Sequence, residues 1–343
     1  MLDQHQIAEL NKIAKAMVAP DKGILAADES MPTIGKRFTS LGIENSEENR
    51  RAYRETLFTT PGIEEFLGGI ILFDETIRQK ASDGRMFTQI LQEKGIIPGI
   101  KVDQGTEPLP NSPQEKITKG LEGLPGRLAD YVILGAKFAK WRAVITIGAG
   151  TPTDECIQEN AKRLAEYALD CQQAGIVPIV EPEVLLDGDH KSERCEEATT
   201  RILKALFAEL KNKGVALEGL ILKPNMVLSG KDCQVQASVK EVAEATLRTL
   251  KVAVSAEVPG VAFLSGGQDD VLATARLNEM NKIGGFPWQL TFSFSRGLQN
   301  LPMKIWAGKQ ENIEVAQKAF SHRAKLNSLA RQGKYSEALE KEI

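Results

Sequence analysis

The stretch IVPIVEPEVLLDGDHKSERCEEATTRILKALFAELKNKGVALEGLILKPNM, residues 176–226, decides the fold. It opens on IVPIVEPEVL (176–185), a short apolar and β-branched run of strand length. It then passes into a helical pattern over 192–212 and returns to a strand-like run in LEGLILKPNM (217–226). Strand, helix-sized segment, strand is the unit of a parallel sheet, because parallel neighbours need a crossover that is usually helical. Working outward, the same unit recurs. GILAAD (23–28), GGIILFDE (68–75), IIPGIKVD (96–103) and FAKWRAVITI (138–147) precede it, and GVAFLSGG (260–267) and WQLTFSFSR (288–296) follow. Helical patterns over 47–58, 153–174, 238–252 and 269–281 stand between them. Eight such units are what a closed parallel barrel needs, whereas a doubly wound open sheet typically uses fewer strands. The expectation is an α/β protein, one (β/α)8 TIM barrel domain spanning residues 1–343. An N-terminal helix carrying Ile7, Leu10, Ile13, Ala14 and Met17 at helical spacing flanks it, as does a C-terminal helix and short tail over 311–343. No internal repeat beyond the unit, no low-complexity stretch and no linker divides the chain.

Composition narrows the function. With 42% hydrophobic and 26% charged residues in 343, the chain has ample material for a core. A net charge of −3 gives no basic field for holding nucleic acid or an anionic membrane, so neither is expected as a partner. No apolar run approaches the roughly 18 residues of a membrane span, and the first residues lack the continuous apolar stretch of a signal peptide, so a cytoplasmic location is expected. Cys156, Cys171, Cys195 and Cys233 stand far apart without a C-x-x-C pair, and His5, His190 and His322 are scattered. Neither a disulfide framework nor a metal site is indicated.

Only one rim of such a barrel, the C-terminal ends of its strands, is open to substrate. Here those ends are chemically loaded: Asp28, Glu75, Lys101 with Asp103, Lys140 with Arg142, Glu181 with Glu183, Lys223, Ser265 with Gly266 and Gly267, and Ser293 with Arg296. A lone charge at a strand end is ordinarily a solvated rim residue. Three lysines placed before their strands run out instead point into a crowded interior, where charge is costly unless paired or used. The amine of Lys223 can attack a ketone only when neutral, and a partly desolvated site beside a second cation favours that form. Lys140, two strands earlier, is the candidate second cation, because alternate strands supply one layer of interior side chains. Glu181 and Glu183, two residues apart, share one face of their strand. They are candidate acid/base groups for making and breaking an imine, with Asp28 a further candidate base. FLSGGQ (263–268) and SRG (295–297) bracket the place where barrels often hold phosphate on loop amides and a short helix N-terminus. Arg296 adds a fork-shaped donor suited to phosphate. Ser30, Lys36, Arg37, Lys101 and Arg142 form a second candidate anion site. Two such sites around an imine-forming lysine suit a bisphosphorylated ketose.

ILAADES (24–30), ENRRAYRE (48–55), GIKVD (99–103), FAKWR (138–142), IVPIVEPE (176–183), LKPNM (222–226), FLSGGQ (263–268) and QGKY (332–335) together resemble class I fructose-bisphosphate aldolases, in order and along nearly the whole chain. The resemblance implies reversible cleavage of fructose 1,6-bisphosphate to dihydroxyacetone phosphate and glyceraldehyde 3-phosphate, in glycolysis and gluconeogenesis, with neither metal nor other cofactor. It implies a Schiff base on Lys223 with Glu181 and Glu183 moving protons in carbinolamine dehydration. Asp28 would take the C4 hydroxyl proton, and Lys140 would assist electrostatically. Lys101 and Arg142 would contact substrate hydroxyls or the distal phosphate. Ser265, Gly266 and Arg296 match the C1-phosphate site, to which Gly267, Ser293 and Ser295 are adjacent. Phosphorylated sugars are the implied small-molecule partners and a homotetramer the implied assembly. The family's TFSYGR-type segment reads TFSFSR (291–296) here, so Phe294 lacks a phenol and Ser295 replaces a glycine. KVDKG likewise reads KVDQG. Animal members end in a mobile segment whose terminal Tyr moves the C3 proton, and this sequence ends at Ile343 without it. C3 proton transfer is therefore expected to use Glu183, another rim group or water. A metal-dependent aldolase would need several histidines among its ligands. A transaldolase or deoxysugar-phosphate aldolase would share the lysine and differ in substrate, and a binding protein on the same barrel would show gaps in the catalytic set.

Overall fold

Alternating residues of the strands divide between two cores, and that division shapes the molecule. The structure is a computed structural model and describes residues 2–342. Its strands are β1 (Gly23–Ala27), β2 (Leu67–Leu72), β3 (Ile97–Lys101), β4 (Thr106–Leu109), β5 (Ser112–Thr118), β6 (Phe138–Ile145), β7 (Val177–Val184), β8 (Ile221–Leu222), β9 (Gly260–Phe263) and β10 (Gln289–Phe294). Eight of them close a parallel barrel in the order β1-β10-β9-β8-β7-β6-β3-β2, and β4 and β5 form a separate antiparallel hairpin. The helices are α1 (Gln4–Met17), α2 (Met31–Ser40), α3 (Glu47–Phe58), α4 (Asp74–Ile77), α5 (Phe87–Glu93), α6 (Leu124–Ile133), α7 (Asp154–Gln173), α8 (Ser192–Lys213), α9 (Val239–Ala253), α10 (Asp270–Ile283), α11 (Arg296–Trp306) and α12 (Ile313–Arg331). The expected (β/α)8 barrel is therefore present.

Outward residues such as Leu25, Ala139, Trp141, Val180, Leu222 and Phe263 join the core between barrel and helices. Inward residues Ile24, Ala26, Ile71, Phe138, Val177, Ile179, Ile221 and Ala262 form a second core with Leu10, Ala14 and Met17 of α1. Helix α1 thus plugs the end of the barrel at which the strands begin. The inward series on β6 reads Phe138, Lys140, Arg142, and on β7 Val177, Ile179, Glu181, Glu183, so each strand changes from apolar to charged along its length. Register places Lys140 beside Ile179, Arg142 beside Glu181, and Lys101 beside Lys140. One half of the interior is oil and the other half is ions. Glycine is needed at Gly99 because a Cβ there would overlap the ring of Phe138, which fills the barrel centre.

The structure departs from the sequence reading in two places. The hairpin β4–β5 was not expected, since Pro108, Pro110 and Pro113 argue against strands. It forms outside the barrel, where missing ladder donors are tolerated, and Glu115 on it accepts from the backbone N–H of Thr153 at 2.9 Å, at the start of α7. The run 217–226 yields only Ile221–Leu222 as strand, after a short 3-10 turn at Leu217–Gly219. Lys223 N–H still continues the ladder to Val180 O at 2.8 Å, but Pro224 has no N–H to offer. Asn225 then accepts from Val184 N–H through its side chain at 2.9 Å.

Candidate active site

Asp28 and Lys223, just past the ends of β1 and β8, meet Lys140 and Glu181, within β6 and β7, in one buried row. Lys140 Nζ lies 2.7 Å from Asp28 Oδ2 and 3.2 Å from Glu181 Oε2. Lys223 Nζ lies 3.2 Å from Glu181 Oε1. Lys140, Glu181 and Lys223 are only 3%, 4% and 3% exposed, so these contacts are made with little water between them. Glu181 is the hinge of the row, giving one oxygen to each lysine. Its Oε2, the oxygen on the Lys140 side, has no hydrogen bond of good direction, which leaves an acceptor lobe free there.

Asp103 completes the set on the β3 side. It pairs closely with Lys101, stands 3.9 Å from Lys140 and accepts from Arg142 N–H at 3.3 Å. Arg142 in turn pairs closely with Glu183. Four cations (Lys101, Lys140, Arg142, Lys223) thus face four carboxylates (Asp28, Asp103, Glu181, Glu183). Such balance is what allows eight charged groups to be gathered at one barrel end.

Burial pushes the carboxylates up, but the lysines outweigh it. Asp28, drawn down by Lys140 and Lys223, falls from 3.8 to about 2. Glu181 is likewise held below its ordinary value, by Lys140, Lys223 and Arg142. Burial pulls Lys140 down, yet Asp28, Glu181 and Asp103 raise it above the ordinary lysine value. Lys140 is therefore a fixed cation and Asp28 and Glu181 are carboxylates at neutral pH.

The row opens into a cavity of about 870 Å³ that is also lined by Ser30, Lys101, Arg142, Glu183, Ser265, Gly266, Ser293, Ser295 and Arg296. Of the sequence-selected residues, Glu75, which pairs with Arg50, and Lys36, Arg37 and Gly267 do not line it. Lys36 is exposed, and Arg37 donates to Glu29 Oε1 at 2.5 Å. Gly267 stands behind Gly266, its α-carbon close to the Arg296 guanidinium. Gly266 and Gly267 adopt φ of 57° and 87°, a left-handed turn that explains the glycine pair. Ser293 has a buried hydroxyl without a partner, pointing to a polar group yet to arrive. Ser295, where the resemblance expects glycine, donates its hydroxyl to Glu29 Oε1 at 2.7 Å. Tyr335 is buried away from the cavity, its hydroxyl donating to Glu340 at 2.8 Å.

Sequence reasoning named Asp103 at the rim without giving it a role, and passed over Glu29 and Arg54. Asp103 follows the inward period of 2 from Lys101, and that signal was available. Glu29 and Arg54 were not distinguishable by spacing: they meet at 2.5 Å from segments 25 residues apart. Among the described residues, no group of three or more His, Cys, Asp or Glu is placed to hold a metal ion, and no helix is long and apolar enough to cross a membrane.

Comparison with known proteins agrees with this geometry. The family model described as fructose-bisphosphate aldolase class-I matches residues 9–343. A probable fructose-bisphosphate aldolase class 1 of Xanthomonas campestris pv. campestris is 54% identical over 330 residues, 96% of this chain and 99% of that protein. The fructose-bisphosphate aldolase of Dictyostelium discoideum is 51% identical over 96% of this chain and 93% of its own. Cytosolic fructose-bisphosphate aldolase 4 of Arabidopsis thaliana is 51% identical over 95% and 84%. Among solved structures, the Plasmodium falciparum fructose-bisphosphate aldolase, crystallised with TRAP and a small-molecule inhibitor, superposes with a TM-score of 0.96 at 46% identity, covering 98% of this chain and 97% of that one.

Proposed function

Because the chain belongs to the class I fructose-bisphosphate aldolase family and is a lyase, we propose that it cleaves fructose 1,6-bisphosphate reversibly through a Schiff base on Lys223. The observation that carries this reading is Glu181 Oε1 at 3.2 Å from Lys223 Nζ, inside the charged row. Lys223 attacks the C2 carbonyl, and Glu181, with Glu183 beside it, moves the protons needed to expel water from the carbinolamine. Lys140 holds Asp28 and Glu181 in place as carboxylates. Asp28 then takes the C4 hydroxyl proton as the C3–C4 bond breaks and its electron pair flows into the protonated imine. The aldehyde leaves, the resulting enamine is protonated at C3, and water releases dihydroxyacetone phosphate. Glu183, another rim group or water carries that C3 proton, since Tyr335 is engaged elsewhere.

The cavity's two flanks suit the two phosphates. Ser265 and Gly266 on the turn after β9, Ser293 on β10, and Ser295 and Arg296 at the start of α11 take the C1 phosphate, with Gly267 shaping the turn. Lys101, Arg142 and Ser30 take the distal phosphate and hydroxyls, while Lys36 and Arg37 act from outside the cavity. Participation in glycolysis and gluconeogenesis follows from the substrate, relatives named cytosolic support a cytoplasmic location, and the family resemblance supports a homotetramer.

Incubation with dihydroxyacetone phosphate followed by borohydride tests the centre of the reading. A stable adduct on the peptide bearing Lys223 is expected, with activity unchanged by EDTA. An adduct absent from Lys223, or activity lost with EDTA, would overturn it. Isotope exchange at C3 of dihydroxyacetone phosphate is expected to survive Tyr335→Phe, and its collapse would return the C3 proton to that phenol.

A further inference from the structure

Among the described residues, five arginines are buried: Arg50, Arg54, Arg276, Arg323 and Arg331. Three have carboxylate partners, Glu75 at 2.6 Å, Glu29 at 2.5 Å and Glu340 at 2.6 Å respectively for Arg50, Arg54 and Arg323. Arg331 donates to carbonyls of Val18 and Ala19 and to Gln289 Oε1. Arg276 differs. It is 7% exposed, its single hydrogen bond runs from Nη1 to Gln268 Oε1 at 2.7 Å, and its Nε is buried without an acceptor. A guanidinium remains protonated even when burial disfavours it, and the Asp269 carboxylate at the start of α10 offsets that burial only in part and forms no salt bridge with it. That arrangement is costly unless an anion comes within its field.

The field is directed at a specific place. Gln268 closes the turn that follows β9, its N–H donating to Ser265 O at 3.0 Å, and its side-chain amide reaches Met226 Sδ at 3.7 Å. Between Ser265 and Gln268 lie Gly266, which lines the cavity, and Gly267, where a Cβ would come 3.1 Å from Arg296 Nη2. The glycine turn therefore stands between two guanidinium groups, Arg296 on its cavity side and Arg276 behind it through Gln268. Arg276 reaches the turn from the second turn of α10, a helix that contributes no residue to the cavity lining.

We propose that Arg276 is a positioning residue for substrate phosphate. It fixes the Gln268 amide, and through it the turn of Ser265 to Gly267, and it places an unpaired positive charge behind that turn which favours a dianionic over a monoanionic phosphomonoester. This inference rests on the reading that the turn takes the C1 phosphate. It assigns Arg276 an electrostatic part in KM and none in the chemical step, because among the described residues no hydrogen bond or ion pair joins it to Lys223.

Steady-state kinetics and inhibition by inorganic phosphate test it on full-length Arg276→Met, Arg276→Gln and Arg276→Lys. For the Met and Gln variants, KM for fructose 1,6-bisphosphate and the phosphate inhibition constant are expected to rise about tenfold while kcat stays within about twofold. The Lys variant, keeping the charge, recovers most of the loss. In the unaltered protein phosphate inhibits more strongly as pH rises through the second ionisation of inorganic phosphate, where the dianion forms, and the neutral variants flatten that profile. A purely structural role would lower the melting temperature and leave the profile unchanged. Gln, which can still donate to Gln268, serves if the Met variant does not fold. Arg296→Met separates this inference from the reading beneath it. If Arg296→Met weakens phosphate inhibition and neither neutral Arg276 variant alters it or its pH profile, the role of Arg276 is overturned. If Arg296→Met also leaves phosphate unaffected, the C1-phosphate reading falls and this inference with it.

Discussion

Glu181 shows how one side chain sets the state of its neighbours. Each of its oxygens faces a different buried lysine at 3.2 Å, so replacing the carboxylate leaves both ammonium groups short of negative charge. Breaking a buried ion pair from one side typically costs about 3–5 kcal/mol. For Glu181→Gln the expected outcome is a loss of roughly 3 kcal/mol in urea unfolding, together with a fall in kcat of about a hundredfold or more, the usual contribution of an acid/base group. Asp28 gives a pH signature. Its folded value of about 2 lies below the 3.8 of a free aspartate, so it contributes stability that is complete above about pH 4 and lost as pH falls through about 2. Stability measured by urea unfolding between these values should drop by roughly 2 kcal/mol less in Asp28→Asn than in the unaltered protein. Much of this was legible in the chain: LILKPNM and VEPEV place an amine and two carboxylates on inward faces. Which carboxylate meets which lysine was not, because that depends on the register between strands.

At the scale of elements, the barrel works by giving each strand an apolar half and a charged half. Phe138 fills the middle of the apolar half, and Gly99 on the neighbouring strand makes room for it. Gly99→Ala should destabilise by about 1–3 kcal/mol through overpacking, and Phe138→Leu in the same chain should restore part of it. Two single losses that simply add in thermal melts would show that the two side chains do not compete for one space. The short β8 has a related lesson. A proline after Lys223 removes a ladder donor, the Asn225 side chain accepts from Val184 N–H on the neighbouring strand, and the lysine is presented where the strand stops. The run of apolar letters before it resembles a longer strand, and no local pattern reveals where pairing ends. The hairpin of β4 and β5 was hidden for the same reason. Its prolines are tolerable only because it lies outside the barrel, and its Glu115 finds Thr153 only in three dimensions.

For the molecule as a whole, α1 and the end of α12 are tied together at the end of the barrel opposite the charged row. Leu10, Ala14 and Met17 of α1 seal the interior there, and Arg331 at the end of α12 donates to the carbonyls of Val18 and Ala19 just beyond α1. Leu10→Ala should therefore cost about 2–4 kcal/mol by opening a cavity under the barrel, with KM for fructose 1,6-bisphosphate unchanged because the charged end is not touched. A shifted KM would mean that the plug governs the site. We propose that this tethering makes residues 1–343 one domain, and a single calorimetric unfolding transition is the expected result.

The sequence by itself determined the order of strands and helices, the inward alternation of β6 and β7, and the set of residues that could do imine chemistry, because each is written in local periodicity and residue type. Tertiary structure alone decided the rest. It brought Asp103, Glu29 and Arg54 into the network and left Lys36 and Arg37 outside the cavity. It also placed Arg276 behind the glycine turn without a salt-bridge partner. Pairing and burial are set by segments far apart in the chain, and a residue's charge has a consequence only once water has been removed from around it.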